Sequence, residues 1–155
     1  LDEKSLAESI KPYMIKSGLI GEDYPQDKLI LLAKTWQSAI DKFSDAPKLA
    51  KNYFIEDSEM VWEDEAKESI KTEEAKILFD SFLNHLEEID EVDEDFAGSI
   101  MKTIQKETKI KGKNLWFPVR AALTGSVHGP ELSNAFIIMG KEKIKNRLNY
   151  VKENF

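Results

Sequence analysis

The feature that most constrains this chain is the stretch Leu115–Leu132, LWFPVRAALTGSVHGPEL, where signals for ending and starting helices crowd together. Pro118 follows an apolar Leu115-Trp116-Phe117 run. Proline suits the first turn of a helix, because the hydrogen it lacks would be unpaired there. The pattern predicts a short helix over Val119–Leu123 whose one cation is Arg120. Thr124-Gly125 ends that helix, since glycine reaches the left-handed closing conformation at little cost. Gly129-Pro130 repeats the device and opens a second helix. A tight elbow with Arg120 facing it is the expected result, and such a bend has the geometry of a site.

Elsewhere the apolar residues recur at helical spacing. Leu6, Ile10, Tyr13 and Met14 mark a first helix that Pro12 is expected to kink or end, with Gly18 closing the segment. Leu29, Leu32, Trp36, Ile40 and Phe43 form one stripe, which predicts a continuous helix with Trp36 and Phe43 in the core. Ser44 or Asp45 is placed to cap a short helix with Pro47 in its first turn and Leu49, Tyr53 and Phe54 inward. Ile55–Glu65 is acidic and weakly patterned apart from Trp62. The internal boundary is therefore expected near residue 61, giving helical subdomains of residues 1–61 and 62–155. Thr72 caps a helix carrying Ala75, Leu78, Phe79, Phe82, Leu83 and Leu86, and Phe96, Ile100 and Ile104 predict another running to about Thr108. Beyond the elbow, Leu132, Phe136 and Met139 line a helix that Gly140 ends, and Ile144, Leu148 and Val151 line the last. No five-residue stretch alternates as a strand would. The fold class read from this is all-α, two packed helical subdomains.

Composition closes several functional classes. The 155 residues include no cysteine, which excludes a disulfide framework and a thiolate metal site. The longest aliphatic run, Leu29–Ala33, falls far short of the roughly 20 residues of a membrane span. No signal peptide is visible, and a start at Leu1 rather than Met reads as a piece of a longer protein. His85, expected on the surface, and His128 have no second ligand at metal spacing. No serine lies in an activated context, and neighbouring acids such as Glu73/Glu74 do not converge on a helix. Lys111-Gly112-Lys113 lacks the spaced glycines of a phosphate loop. Catalytic and metal sites are therefore expected to be absent.

Charge points elsewhere. The net charge of −7 divides into +7 over residues 102–155, from 11 basic and 4 acidic residues, and −14 over residues 1–101. The basic end is the one that holds the elbow. Either it touches nucleic acid locally or it is a solvated charged face. Arg120 can donate two hydrogen bonds to a base edge, or it can pair with a carboxylate and hold the elbow together. His128 can stack on a base, though a turn residue is the simpler reading. Trp116 and Phe117 read as core residues first, with a stacking platform as the alternative.

The combination Lys111-Gly112-Lys113, Pro118-Val119-Arg120-Ala121-Ala122-Leu123-Thr124-Gly125, Gly129-Pro130-Glu131-Leu132 and Met139-Gly140-Lys141-Glu142 resembles the C-terminal, anticodon-binding region of bacterial-type glutamyl-tRNA synthetases. The match is dense over Lys111–Leu148 and looser back to about Leu6. Those class I enzymes join glutamate to its tRNA with ATP and magnesium. Their catalytic His-Ile-Gly-His-type and Lys-Met-Ser-Lys-Ser-type motifs do not occur here. The resemblance therefore implies an anticodon-gripping portion with no catalytic residue or cofactor of its own, inactive alone and cytoplasmic. Its implied partners are the glutamate tRNA, the glutamine tRNA as a second candidate, and the parent catalytic domain, with no membrane and no DNA. Anticodon contacts map onto Arg120, Gly129, Pro130 and Leu132, with Lys102 the nearest match to a further cation. Family members commonly carry an arginine at the position of Ala39 that reads the third anticodon base. Its absence implies relaxed rejection of the glutamine tRNA. A helical protein–protein interaction module and a free-standing tRNA-binding relative are the competing readings, and RNA binding separates the first of them.

Overall fold

Eight α-helices and four single turns of 3-10 helix make up the regular structure, and no strand forms. The all-α expectation holds. The computed structural model describes residues 1–155. They divide into two units, Leu1–Ile55 and Glu56–Phe155.

In the first unit, α1 (Glu3–Lys16) is capped by the Asp2 carboxylate, which accepts the Ser5 N–H at 2.7 Å. It packs on α2 (Gln26–Trp36) and on α3 (Ala46–Ala50) through Leu6, Ile10, Met14, Leu29 and Leu32. Pro12 does not end α1: the helix runs through it with the ring at the exposed surface. The expected stripe from Leu29 to Phe43 is cut at Trp36, where a 3-10 turn over Gln37–Ala39 takes over. The cause is local. The Asp45 carboxylate captures the Asp41 and Lys42 N–H groups at 3.1 and 2.9 Å, giving the backbone an alternative to the helix ladder. Phe43 is consequently 39% exposed rather than in the core, while the Trp36 ring leans on Tyr53 at 6.1 Å.

The break between units falls at Ile55/Glu56 rather than near residue 61. Asp57 pairs with Arg147 at 2.9 Å, and Met60 and Trp62 are buried with Val61 79% exposed between them, so this connector is fastened to the second unit. A short helix without a sequence forecast, α4 (Asp64–Ile70), follows and buries Ala66 and Ile70. The core gathers around α5 (Glu73–Glu87), whose Thr72 cap accepts the Ala75 N–H at 3.0 Å as the sequence suggests. α5 packs against α6 (Glu94–Thr108), α7 (Lys113–Thr124) and α8 (Leu132–Asn154). Phe82 meets Phe136 edge-on at 5.1 Å among fully buried Leu78, Phe79, Leu86 and Ile100. Two helix ends differ from expectation in an instructive way. α7 begins at Lys113, so Pro118 lies inside it, buried, instead of at its first turn. α8 is broken at Gly140 (φ 79°, ψ 171°), as the glycine there suggests. No helix is long and apolar enough to cross a membrane.

Candidate nucleic-acid interface

The elbow forms because α7 closes on Gly125 in the left-handed conformation, φ 83°, with its N–H on the Ala121 carbonyl at 2.8 Å. The Thr124 hydroxyl sits 2.8 Å from the Arg120 carbonyl and 3.1 Å from that of Ser126. It also accepts the Ser126 N–H at 3.4 Å, so one side chain sets the first step of the loop. Val127 turns inward and is buried, leaving His128 and Gly129 exposed at the tip. Arg120 reaches across and donates from Nη1 to the Pro130 carbonyl at 2.7 Å. A Cβ added at Gly129 would lie 3.1 Å from that same Nη1, and the backbone there has φ 157°. The arginine and the glycine thus occupy complementary space.

Around this clasp lie aromatic and basic groups. The Phe117 ring meets the His128 ring edge-on at 5.7 Å, and Lys113 Nζ stands 5.8 Å from the Phe117 centroid. His128 Nε2 lies 3.6 Å from a Glu65 carboxylate oxygen, both groups well exposed. On the neighbouring face Trp116, 40% exposed, lines a hollow of about 120 Å³ with Lys102, Met101, Glu131 and Ser133. The first turn of α8 has no side-chain cap, and the Glu131 carboxylate accepts from the Ser133 hydroxyl at 3.1 Å. A helix start without a capping carboxylate offers its amide hydrogens to an anion.

Behind the elbow the arrangement is buried and closed. Trp62 Nε1 donates to the Ala122 carbonyl at 3.3 Å, and Arg147 Nη1 to the Leu123 carbonyl at 2.8 Å. The Glu63 N–H donates to the Gly125 carbonyl at 2.9 Å. Arg147 is completely buried, and its Nε donates to Asp57 at 2.9 Å. Burial pulls the guanidinium below its ordinary pKa range, and the Asp57 carboxylate draws it back up. Trp62 is stacked on Tyr150 at 5.9 Å and meets Phe155 edge-on at 5.2 Å.

The structure brings Arg120, Gly129 and Pro130 together and places Lys102 in the Trp116 hollow. Leu132 is buried, so any contact it makes with a ligand runs through its main chain. Ala39 is exposed, in the Gln37–Ala39 turn of the first unit. Trp116 and Phe117 are displaced from the expected core by Leu115, Pro118, Val119 and Ala122, which form the inner face of α7. His85 is not a plain surface residue: its Nε2 lies 2.7 Å from Glu107, whose pKa is lowered first by that bond and then by the Ser81 hydroxyl. The set of buried Trp62 and Arg147 with part-exposed Asp57 went unforeseen. Its one sequence signal is a cation beside Leu148, on the apolar face that Ile144 and Val151 share.

Residues 5–152 match the family model described as anticodon binding domain. The chain is 36% identical over 149 residues to a glutamate–tRNA ligase of Finegoldia magna, covering 96% of this chain and 30% of that one. It is 37% identical over 154 residues to glutamate–tRNA ligase 1 of Caldicellulosiruptor saccharolyticus, covering 98% and 31%. The chain therefore spans about three-tenths of the length of these curated relatives. Among solved structures, a glutamate tRNA ligase from Elizabethkingia meningosepticum, crystallised with its amino acid, superposes with a TM-score of 0.84 over 99% of this chain and 30% of that one, at 14% identity. That likeness is one of fold.

Proposed function

The chain belongs to the anticodon binding domain family, and on that premise we propose that its elbow receives the anticodon loop of a tRNA within a longer glutamate–tRNA ligase. The observation that carries the reading is the Arg120 clasp. A half-buried planar cation is fixed at 2.7 Å on Pro130, next to a loop tip whose glycine leaves it room. Unpaired anticodon bases present hydrogen-bond edges and flat faces, and an arginine with adjacent aromatic rings suits both. Uncapped amides at the start of α8 suit the intervening phosphates.

In this reading the glutamate tRNA is the partner, and aligning its far end with the catalytic part is the purpose of the grip. Arg120 reads a base, Gly129 and Pro130 shape the seat, Leu132 contributes its main chain and Lys102 meets a phosphate. No group of three or more His, Cys, Asp or Glu side chains here fits a metal ion. ATP and magnesium belong to the part of the ligase that this chain does not span. The test is fluorescence titration of the chain with a synthetic RNA stem-loop carrying the glutamate anticodon, against one with a scrambled loop. Preference for the first is expected. Equal binding of both, or none, would mean that the elbow serves a protein partner instead.

Ala39 extends the proposal to specificity. A methyl group cannot donate a hydrogen bond, so it leaves no polar group unpaired by a wrong base. The glutamine anticodon is expected to be accepted within about tenfold of the glutamate one, and Ala39→Arg to widen the gap toward the 1–3 kcal/mol of one good base contact. Titration of both stem-loops by both proteins decides it. A gap already that wide in the unaltered chain sinks the idea.

A further inference from the structure

A helix leaves its last four carbonyls without partners inside the helix, and in most proteins water or a glycine turn satisfies them. At the end of α7 the Ala121 carbonyl is met by the turn itself, through Gly125. The next carbonyls go to donors from outside: Ala122 to the Trp62 indole at 3.3 Å, Leu123 to Arg147 at 2.8 Å, and Gly125 to the Glu63 N–H at 2.9 Å. Two of these donors lie on the connector 57–63, and the third is held by that connector's Asp57 at 2.9 Å. A cation at this end also meets the negative pole of the helix. Three protein donors thus meet the helix end that carries Arg120.

From this we propose that Trp62, Asp57 and Arg147 are positioning residues for the elbow. They hold the carbonyl end of α7 in one geometry, so that Arg120 and the loop to Pro130 are already shaped when RNA arrives. The proposal rests on the anticodon-binding reading above. A purely stabilising role is the competing account, since breaking a buried ion pair weakens any fold. The two accounts differ in what a gentle change does. If the contacts only stabilise, loosening one lowers the unfolding midpoint and leaves RNA affinity of the folded protein alone. If they position, affinity falls through Arg120 while the midpoint barely moves.

Trp62→Phe is the gentle change. It removes the indole N–H but keeps a ring against Tyr150 and Phe155, now stacked at 5.9 Å and edge-on at 5.2 Å. Asp57→Asn is the second variant, keeping shape and an acceptor while removing the charge. Each is made in the full chain, alone and with Arg120→Ala. Affinity for the glutamate-anticodon stem-loop is measured beside the thermal midpoint and amide hydrogen exchange at Gly125, Ser126 and Val127. The expected result is an affinity loss of about three- to tenfold, the scale of one lost hydrogen bond. The midpoint stays within a few degrees for Trp62→Phe and falls further for Asp57→Asn, which takes the counter-charge from buried Arg147. For both, exchange quickens at those amides more than in α5, and most of the affinity loss vanishes when Arg120 is already alanine. Losses that simply add to that of Arg120→Ala, or exchange that changes everywhere alike or nowhere, overturn the proposal. If the unaltered chain ignores the stem-loop, the functional reading has failed, and exchange at Gly125 alone still decides whether these residues position the elbow.

Discussion

The two sides of the elbow are built on opposite principles. The inner side is buried, and the carbonyls of Ala122, Leu123 and Gly125 each have a protein donor. The outer side is exposed and held by few contacts, chiefly the Arg120–Pro130 bond at 2.7 Å and the weak Glu65–His128 approach at 3.6 Å. A surface meant for a polyanion should present donors and hide acceptors, because phosphates and base edges offer oxygen and nitrogen lone pairs. The elbow follows this in part: the carbonyls at the end of α7 are consumed inside and the guanidinium lies on the outer side, where the exposed Glu65 and Glu131 carboxylates remain as acceptors that a polyanion must avoid. Charge follows the same rule within the second unit. Residues 56–101 carry 17 acids against 3 lysines, whereas residues 102–155, which hold the elbow, are net basic.

The comparison breaks most violently at Arg147. Arg147→Met takes the donor from the Leu123 carbonyl and from the Asp57 carboxylate, which is 21% exposed, and leaves a fully buried position without its guanidinium. Truncating one partner of a buried pair costs about 3–5 kcal/mol, so denaturant melting should show the second unit near the edge of stability. A loss under about 1 kcal/mol would mean that water enters behind the elbow and that the inner side is not closed.

Arg120→Ala probes the outer side and should behave oppositely. It gives up the hydrogen bond to Pro130 among the arginine's contacts, so circular dichroism should hold and melting should change by about 1–2 kcal/mol. Affinity for the stem-loop should fall by about 1–3 kcal/mol. Lys102→Ala is the milder companion: affinity drops less, and the slope of affinity against salt decreases by about one. If Arg120→Ala unfolds the protein, the arginine is a structural clasp, and the contrast between the two sides disappears.

How much of this was legible in the sequence follows from the range of each interaction. Glycine and cap signals are local, so the end of α7 at Gly125, the Thr72 cap and the break at Gly140 could be read directly. Proline marked neither a helix end at Pro12 nor a helix start at Pro118. At Pro12 the ring sits on the exposed side, and α1 tolerates the lost bond; at Pro118 tertiary packing buries the ring inside a helix that starts five residues earlier, at Lys113. Apolar spacing also overran at Trp36, because periodicity carries no record of a carboxylate such as Asp45 capturing nearby amides. The outer half of the candidate site lies in one continuous stretch and could be proposed whole. The inner half joins Asp57, Trp62 and Arg147 across most of the second unit, and no local rule pairs residues so far apart.

The smallest effect is expected at His128, and it sharpens the comparison where the outer side is most ambiguous. The ring sits at the loop tip, edge-on to Phe117 at 5.7 Å and 3.6 Å from Glu65. An exposed pair at that separation contributes between nothing and about 1 kcal/mol. His128→Ala should therefore leave stability within about 0.5 kcal/mol, as at an ordinary surface position. For RNA the two roles separate cleanly. A turn residue has no partner in the complex, so affinity should change by less than about twofold, well below the cost of a lost base contact. A stacking residue would instead forfeit about 1–3 kcal/mol per base, a change of fivefold or more. The main-chain bond from the His128 N–H to the Ser126 hydroxyl at 3.2 Å survives the substitution, so loop shape is not in question. We expect the smaller change. The larger would move the reading surface outward from Arg120 onto the Phe117–His128 pair.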